Sequence, residues 1–353
     1  MKHFKSLICL CLILGLLVIW TGCPKTANKA NSTEPRGMVY FTFFDTVSYI
    51  YSYEGDSQED FEARCKGASE VLGKYHKLFD IYYEHTGVTN LRTINKNAGG
   101  EPLQVDRELI DFLLYAKDLY TKTGGEMNIM MGSVLKLWHD CRTAASTDSK
   151  NSKIPTEDEL AEASLHTDFS SLEIDAENNT VRITDPDASI DVGALGKGYA
   201  TEKAAEYLRS AGVESYVLNI GGNIRIIGNK PDGSGWATGI KNPANTEEYA
   251  LRIEIADTSC VTSGDYERFF VVGGKKYHHV IDKDTLMPSA YFSSVTVITA
   301  DSGLADALST ALFCMSYEDG LALVNSIEGV DVLWITSDGT QYYTEGLSKM
   351  IME

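Results

Sequence analysis

The chain predicts an α+β fold, with mixed or antiparallel sheets flanked by helices in a single large domain, and three observations carry that expectation. Its strand-like runs alternate apolar and polar residues rather than forming the continuous apolar blocks of a parallel sheet. Two helical stretches precede a long series of strands and two more interrupt it, unlike the regular strand–helix alternation of a doubly wound fold. The length of 353 residues, 43% of them apolar, suffices for one large core or two intimately packed ones.

Taken in order, the chain begins with Lys2 and Lys5, an apolar run from Leu7 to Trp20, and Thr21-Gly22-Cys23. A basic start, an apolar stretch too short to span a bilayer comfortably, and small residues before a cysteine describe a bacterial lipoprotein signal. Residues 1–22 are therefore expected to be removed and Cys23 to carry lipid. Residues 23–37, polar toward their end, would tether a folded body over 38–353 to a bacterial membrane, facing the periplasm or the cell exterior.

Residues 37–53, which include FTFFDTVSYIYSY, predict a strand or hairpin. Residues 56–80 predict a helix on the stripe Ala63, Ala68, Val71, Leu72, Tyr75 and Phe79; residues 108–122 repeat the pattern with Leu109, Phe112, Leu113, Ala116 and Leu119. Between them NLRTINKNAGGEPLQV is expected to be a polar connection ending in a short extended piece. Residues 143–158, rich in Ser, Thr and Asp, are expected to form an exposed insertion. From Leu172 strands alternate with turns, broken by helices over 199–211 and 303–315.

The formal charge is −19, and loss of Lys2 and Lys5 would take it to −21 with no basic block to compensate. Nucleic acid is excluded as a partner on that ground. An acidic protein that binds a phosphorylated ligand must neutralise it locally, which points toward Mg²⁺. Of seven cysteines, Cys65, Cys141, Cys260 and Cys314 belong to the body, without close pairing or metal-type spacing. They are expected to be mostly buried thiols, with room for one disulfide.

The most informative segment is DVGALGKGYATEKAAEYL, residues 191–208. Ser189 to Val192 alternates as a strand does, and Ala200, Ala204, Tyr207, Leu208 and Ala211 share a helical face. Gly193, Gly196 and Gly198 then fall at the turn between them, where backbone amides and a helix N-terminus would receive a phosphate, with Lys197 alongside. The spacing fits neither the Walker loop nor the G-x-G-x-x-G fingerprint.

In DSGLADALSTALFCM, Asp306 and Thr310 lie four apart on one face of a helix that Asp301 or Ser302 caps. Ala305, Ala307 and Phe313 make the helix apolar nearly all round, hence buried. A buried carboxylate needs a partner. Either the pair ligates a hard cation such as Mg²⁺, or aspartate and threonine bond to each other.

Tyr277 to Asp282, YHHVID, reads as the second strand of a hairpin after Gly273-Gly274. Strand alternation puts His279 and Ile281 on one face and His278, Val280 and Asp282 on the other, which disfavours a two-histidine zinc site. His279 or Asp282 could act as a general base for a hydroxyl. Asn219 to Asn223 and Thr262 to Arg268 read as turn clusters beside strands, and neither G-x-S-x-G nor H-E-x-x-H occurs.

In this order, from FFDT at Phe43 through TGGEMN, the glycine block and YHHVID to ADALSTAL at Ala305, the motifs resemble the ApbE family of FAD:protein FMN transferases. The resemblance implies a T-fold-like body with FAD bound in a cleft between two lobes and Mg²⁺ bridging its diphosphate. It implies that the Ala194 carbonyl, Asp306 and Thr310 bind the metal. It further implies that Tyr82, Glu126, Met127, Asn128, Asp191, Lys197 and Val280 contact FAD, and that His279 assists transfer.

Two departures stand out: Met127-Asn128 replaces the family's Phe-Asp, and DKDTLMP lacks the usual proline and glycine of the following turn. The implied reaction moves FMN from FAD to a Thr or Ser hydroxyl of an acceptor protein, such as a membrane redox subunit, releasing AMP. An Mg²⁺-dependent FAD pyrophosphatase and a non-enzymatic FAD-binding lipoprotein are the rival readings.

Overall fold

The structure, a computed structural model, describes residues 35–352. The signal segment, Cys23 and nearly all of the tether lie outside the described residues. Among those described, no helix is long and apolar enough to cross a membrane.

The expected first strand is a hairpin, Arg36–Phe43 against Thr46–Ser52. Its turn residues Phe44 and Asp45 both sit at positive φ, 53° and 52°, a conformation that side chains other than glycine adopt at a cost. This hairpin starts an eight-stranded sheet that continues through Tyr216–Ile220, Asn223–Ile227, Ser259–Gly264, Ser294–Thr299, Asp331–Ile335 and Gln341–Tyr343. Every neighbouring pair is antiparallel.

Both faces of the sheet are covered, which explains why the Ser294–Thr299 strand is buried throughout. Val295, Val297, Val332 and Trp334 point toward the Ser302–Phe313 helix. Ile298, Leu333 and Ile335 point the other way, into a cluster with Trp236, Ile240 and Ile253 from the Trp236–Asn242 and Asn245–Ile255 ribbon. The Gln58–Phe79, Arg107–Lys122 and Gly196–Ser210 helices join the sheet residues Ile50, Tyr216 and Leu218 in the largest core cluster. The described residues cluster as one compact unit, the single large domain that was expected.

The helices at 56–80 and 108–122 form as expected, over Gln58–Phe79 and Arg107–Lys122. Elsewhere the local reading is corrected. A short helix, Leu91–Lys96, stands where a polar connection was expected, because the Asn90 side chain accepts from Thr93 N–H and Leu91 and Ile94 are buried. Part of the expected insertion belongs to the Gly132–Thr147 helix, held by Val134 and Trp138 in the core. A further helix, Tyr317–Asn325, follows the Ser316 cap. The strand expected at 189–192 shrinks to a single bridge between Ser189 and Met131.

Candidate active site

The Gly196–Ser210 and Ser302–Phe313 helices meet at their first turns. Gly198 makes this possible: a Cβ there would lie 2.3 Å from the Ser302 carbonyl oxygen and 2.4 Å from Asp306 Cβ. At the junction Gly198 N–H donates to Asp306 Oδ2 at 2.8 Å, and Lys197 Nζ lies 3.6 Å from Oδ1. Asp306 is 4% exposed. Glu202 reinforces the junction, accepting from Ser302 N–H at 2.9 Å and from the buried Arg225 Nε at 2.8 Å. The Asp301 side chain caps the second helix by accepting from Gly303 and Leu304 N–H.

The glycine bend differs from the amide cradle expected of it. Gly193 N–H donates to Asp191 Oδ1 at 2.8 Å, Gly196 N–H to the Val192 carbonyl at 2.8 Å, and Gly198 N–H to Asp306. All three glycine amides are thus engaged within the protein, and Gly198 serves close helix packing. The buried carboxylate of Asp306 likewise has partners already, so burial alone no longer demands a cation.

The donor chemistry nonetheless fits a hard metal ion. Asp306 carboxylate, Thr310 hydroxyl and the carbonyl of Ala194, in the turn just before the first helix, are all oxygen donors. Thr310 Oγ1 lies 3.5 Å from the Asp306 carbonyl oxygen and 3.3 Å from Ser263 Oγ. The alternative of an Asp–Thr bond is met only by that Thr310 hydroxyl donating to the Asp306 backbone carbonyl, with no bond between the two side chains.

Asp191, His139, Arg142, Arg268 and His279 share one electrostatic environment. Burial raises the Asp191 carboxyl pKa, opposed by the Gly193 N–H and by His139, Arg142 and Arg268. Burial pushes His279 down to about 3, and the charges of Arg268 and Arg142 depress it further. Its Nδ1 is buried without a hydrogen-bond partner. The hairpin strand ends at His278, whose Nε2 faces the Ser289 carbonyl oxygen at 2.9 Å.

Other residues singled out from the sequence divide into free and engaged groups. Tyr82 is half-exposed, its hydroxyl 3.5 Å from His139 Nδ1. Glu126 Oε1 lies 3.3 Å from Lys283 Nζ, which brings the 126–128 block beside the turn after Asp282. Met127 is buried in the core. Asn128 donates to the Thr167 carbonyl and accepts from Met130 N–H, so its amide holds the local fold. Val280 packs inside a core cluster. Asp282 Oδ1 accepts from Asp284 and Thr285 N–H at 2.8 and 2.9 Å, building the turn that lacks proline and glycine.

Sequence reasoning missed His139 and Arg142. The signal was present: once 132–147 is read as a helix, their i, i+3 spacing puts them on one face.

An antiparallel sheet backed by a helix pair that sets a lysine against a buried carboxylate at one turn defines an enzyme scaffold for an anionic ligand. The ApbE family model matches residues 45–334, and the chain belongs to that family. It is 34% identical to the FAD:protein FMN transferase of Treponema pallidum over 293 residues, covering 77% of this chain and 79% of that one. Identity to the Vibrio cholerae FAD:protein FMN transferase is 28% over 340 residues, 95% of this chain and 96% of that one. Among solved structures, the ApbE protein of Thermotoga maritima superposes with a TM-score of 0.79 at 28% identity, covering 91% of this chain and all of that one. The flavin transferase ApbE of Vibrio cholerae gives 0.75 at 26% identity, over 90% and 99%.

Proposed function

We propose that this chain is an FAD:protein FMN transferase, dependent on Mg²⁺ and anchored to a bacterial membrane through Cys23. The observation that carries the reading is the buried junction of Asp306, Lys197 and Gly198, together with family membership over most of the chain. An oxygen of a Thr or Ser hydroxyl on the acceptor, such as a membrane redox subunit, bonds to the FMN phosphorus. The bond from that phosphorus to the bridging oxygen breaks, and AMP leaves with the electron pair.

Mg²⁺ held by Asp306, Thr310 and the Ala194 carbonyl would supply charge neutralisation and polarisation of the diphosphate. Lys197, beside Asp306, shares its charge with the same group. The unpartnered Nδ1 of His279, on a ring that is uncharged at neutral pH, supports it as the acceptor of the hydroxyl proton. Asp282 is engaged in its turn, which favours His279 over it. Tyr82 and the 126–128 block are read as flavin contacts, with Met127 and Asn128 limited to their backbone.

Incubating the full-length protein with FAD, Mg²⁺ and a threonine-bearing acceptor, then weighing the products, tests the assignment. An FMN-sized increment on the acceptor with AMP released is expected. Free FMN with AMP would make the protein an FAD pyrophosphatase, and intact FAD a flavin-binding lipoprotein.

A further inference from the structure

The Ser259–Gly264 strand packs on the Ser302–Phe313 helix through apolar side chains, Val261, Leu308 and Leu312 sharing one core cluster. Further along the same face of the strand, Ser263 meets hydroxyls instead. Its Oγ lies 2.8 Å from Ser309 Oγ and 3.3 Å from Thr310 Oγ1. Ser309 is buried, and its hydroxyl also donates to the Asp306 carbonyl oxygen at 2.9 Å. That carbonyl can only accept, which sets the direction of the chain. Ser309 spends its proton on the carbonyl, Ser263 spends its proton on Ser309, and Ser263 is left as an acceptor toward Thr310. In the reverse order Ser309 would donate to Ser263 and Ser263 to Thr310. That order gives up the 2.9 Å bond and leaves the carbonyl only the 3.5 Å approach of Thr310, so it is the weaker of the two.

The order matters at Thr310, one of the proposed metal ligands. Its proton has two acceptors within reach, Ser263 Oγ at 3.3 Å and the Asp306 carbonyl oxygen at 3.5 Å, and no donor of the chain occupies its lone pairs. Both contacts are long for an O–H···O bond. A cation on the Thr310 oxygen draws electron density out of the O–H and makes it a stronger donor, so the bond to Ser263 gains most of its strength once the ion is bound. We propose that Ser263 is a positioning residue for the metal: it takes the Thr310 proton, keeps the lone pairs of that hydroxyl free for Mg²⁺, and is itself aligned by Ser309. The inference rests on the proposed metal site and deepens it. Loss of an outer partner of this kind typically costs ~10–100-fold in metal affinity.

The test counts bound metal rather than product. Full-length protein carrying FAD, without acceptor, is titrated with Mn²⁺, and free Mn²⁺ is read by electron paramagnetic resonance. Ser263→Ala is expected to weaken Mn²⁺ binding about tenfold or more, and Ser263→Thr, which keeps the hydroxyl, to restore most of it. Ser309→Ala lets the Ser263 proton turn onto Thr310 and is expected to weaken binding as well. The double variant is expected to bind no more weakly than Ser263→Ala alone, because both side chains act through one chain of hydrogen bonds. With acceptor present, excess Mg²⁺ is expected to restore FMN transfer to Ser263→Ala, since its deficit is one of occupancy. Unchanged Mn²⁺ affinity in Ser263→Ala would overturn the proposal, even if the metal-free protein melted earlier, because the serine would then serve packing alone. Additive losses in the double variant would overturn it too. An unsubstituted protein that binds no Mn²⁺ would overturn it together with the metal site. Because no acceptor is needed, a protein that passes the metal titrations yet moves no FMN refutes only the transferase reading.

Discussion

Asp306 joins two helices and faces the proposed metal position, so its variants separate structure from chemistry. Asp306→Asn keeps the shape but removes the charge that Lys197 faces. FMN transfer is expected to fall roughly 100-fold or more, measured as flavin mass on the acceptor. His279 allows a sharper pH argument. Its folded pKa, about 3, lies below the roughly 6.5 of an unfolded histidine. Between those values the unfolded chain binds more protons, so stability is fully present above pH ~6.5 and is lost as pH falls. The slope is up to about 1.4 kcal/mol per pH unit, and His279→Asn is expected to remove that part of the acid dependence of melting. Transfer by the same variant is expected to drop ~10²–10⁴-fold at neutral pH. The types of these two residues and their candidate roles were legible from the sequence. Their partners were not, since the amide that binds Asp306 lies 108 residues away in the chain.

Among the elements, the helix pair was read correctly in kind but started late. Helix 196–210 begins at the glycines, which mimic a loop until Asp306 and Ser302 close over Gly198. Gly198→Ala forces the two helices apart, since backbone lies 2.3 Å from the new methyl. A loss of about 1–3 kcal/mol is expected by calorimetry, along with reduced transfer. The Gly132–Thr147 helix was missed because its buried stripe is sparse and its last turn, rich in Ala, Ser and Thr, resembles a connection. With it went Arg142 and His139. The Gly221-Gly222 cluster, in contrast, is the hairpin turn its composition announces, both residues having positive φ.

For the whole molecule, alternation in the strand runs gave the antiparallel class, while the double coverage of the sheet was hidden. Runs such as Val332 to Ile335 are buried on both faces because a separate ribbon, Trp236–Asn242 with Asn245–Ile255, closes the side away from the helices. Local periodicity carries no trace of that distant partner. The four body cysteines are all free, Cys141 half-buried and the other three buried, as thiols rather than as a disulfide. Global stability also leans on Glu202, which faces the buried Arg225 guanidinium. Glu202→Ala strands that charge, with an expected loss of about 3 kcal/mol or more in denaturant unfolding. The same carboxylate binds Ser302 N–H, so one side chain locks both helix starts to the strand beneath. The receptor is accordingly preassembled. Native-state hydrogen exchange at residues 198 and 302 is expected to be as slow in the empty protein as in the loaded one, and ligand capture to be set by diffusion rather than by gating.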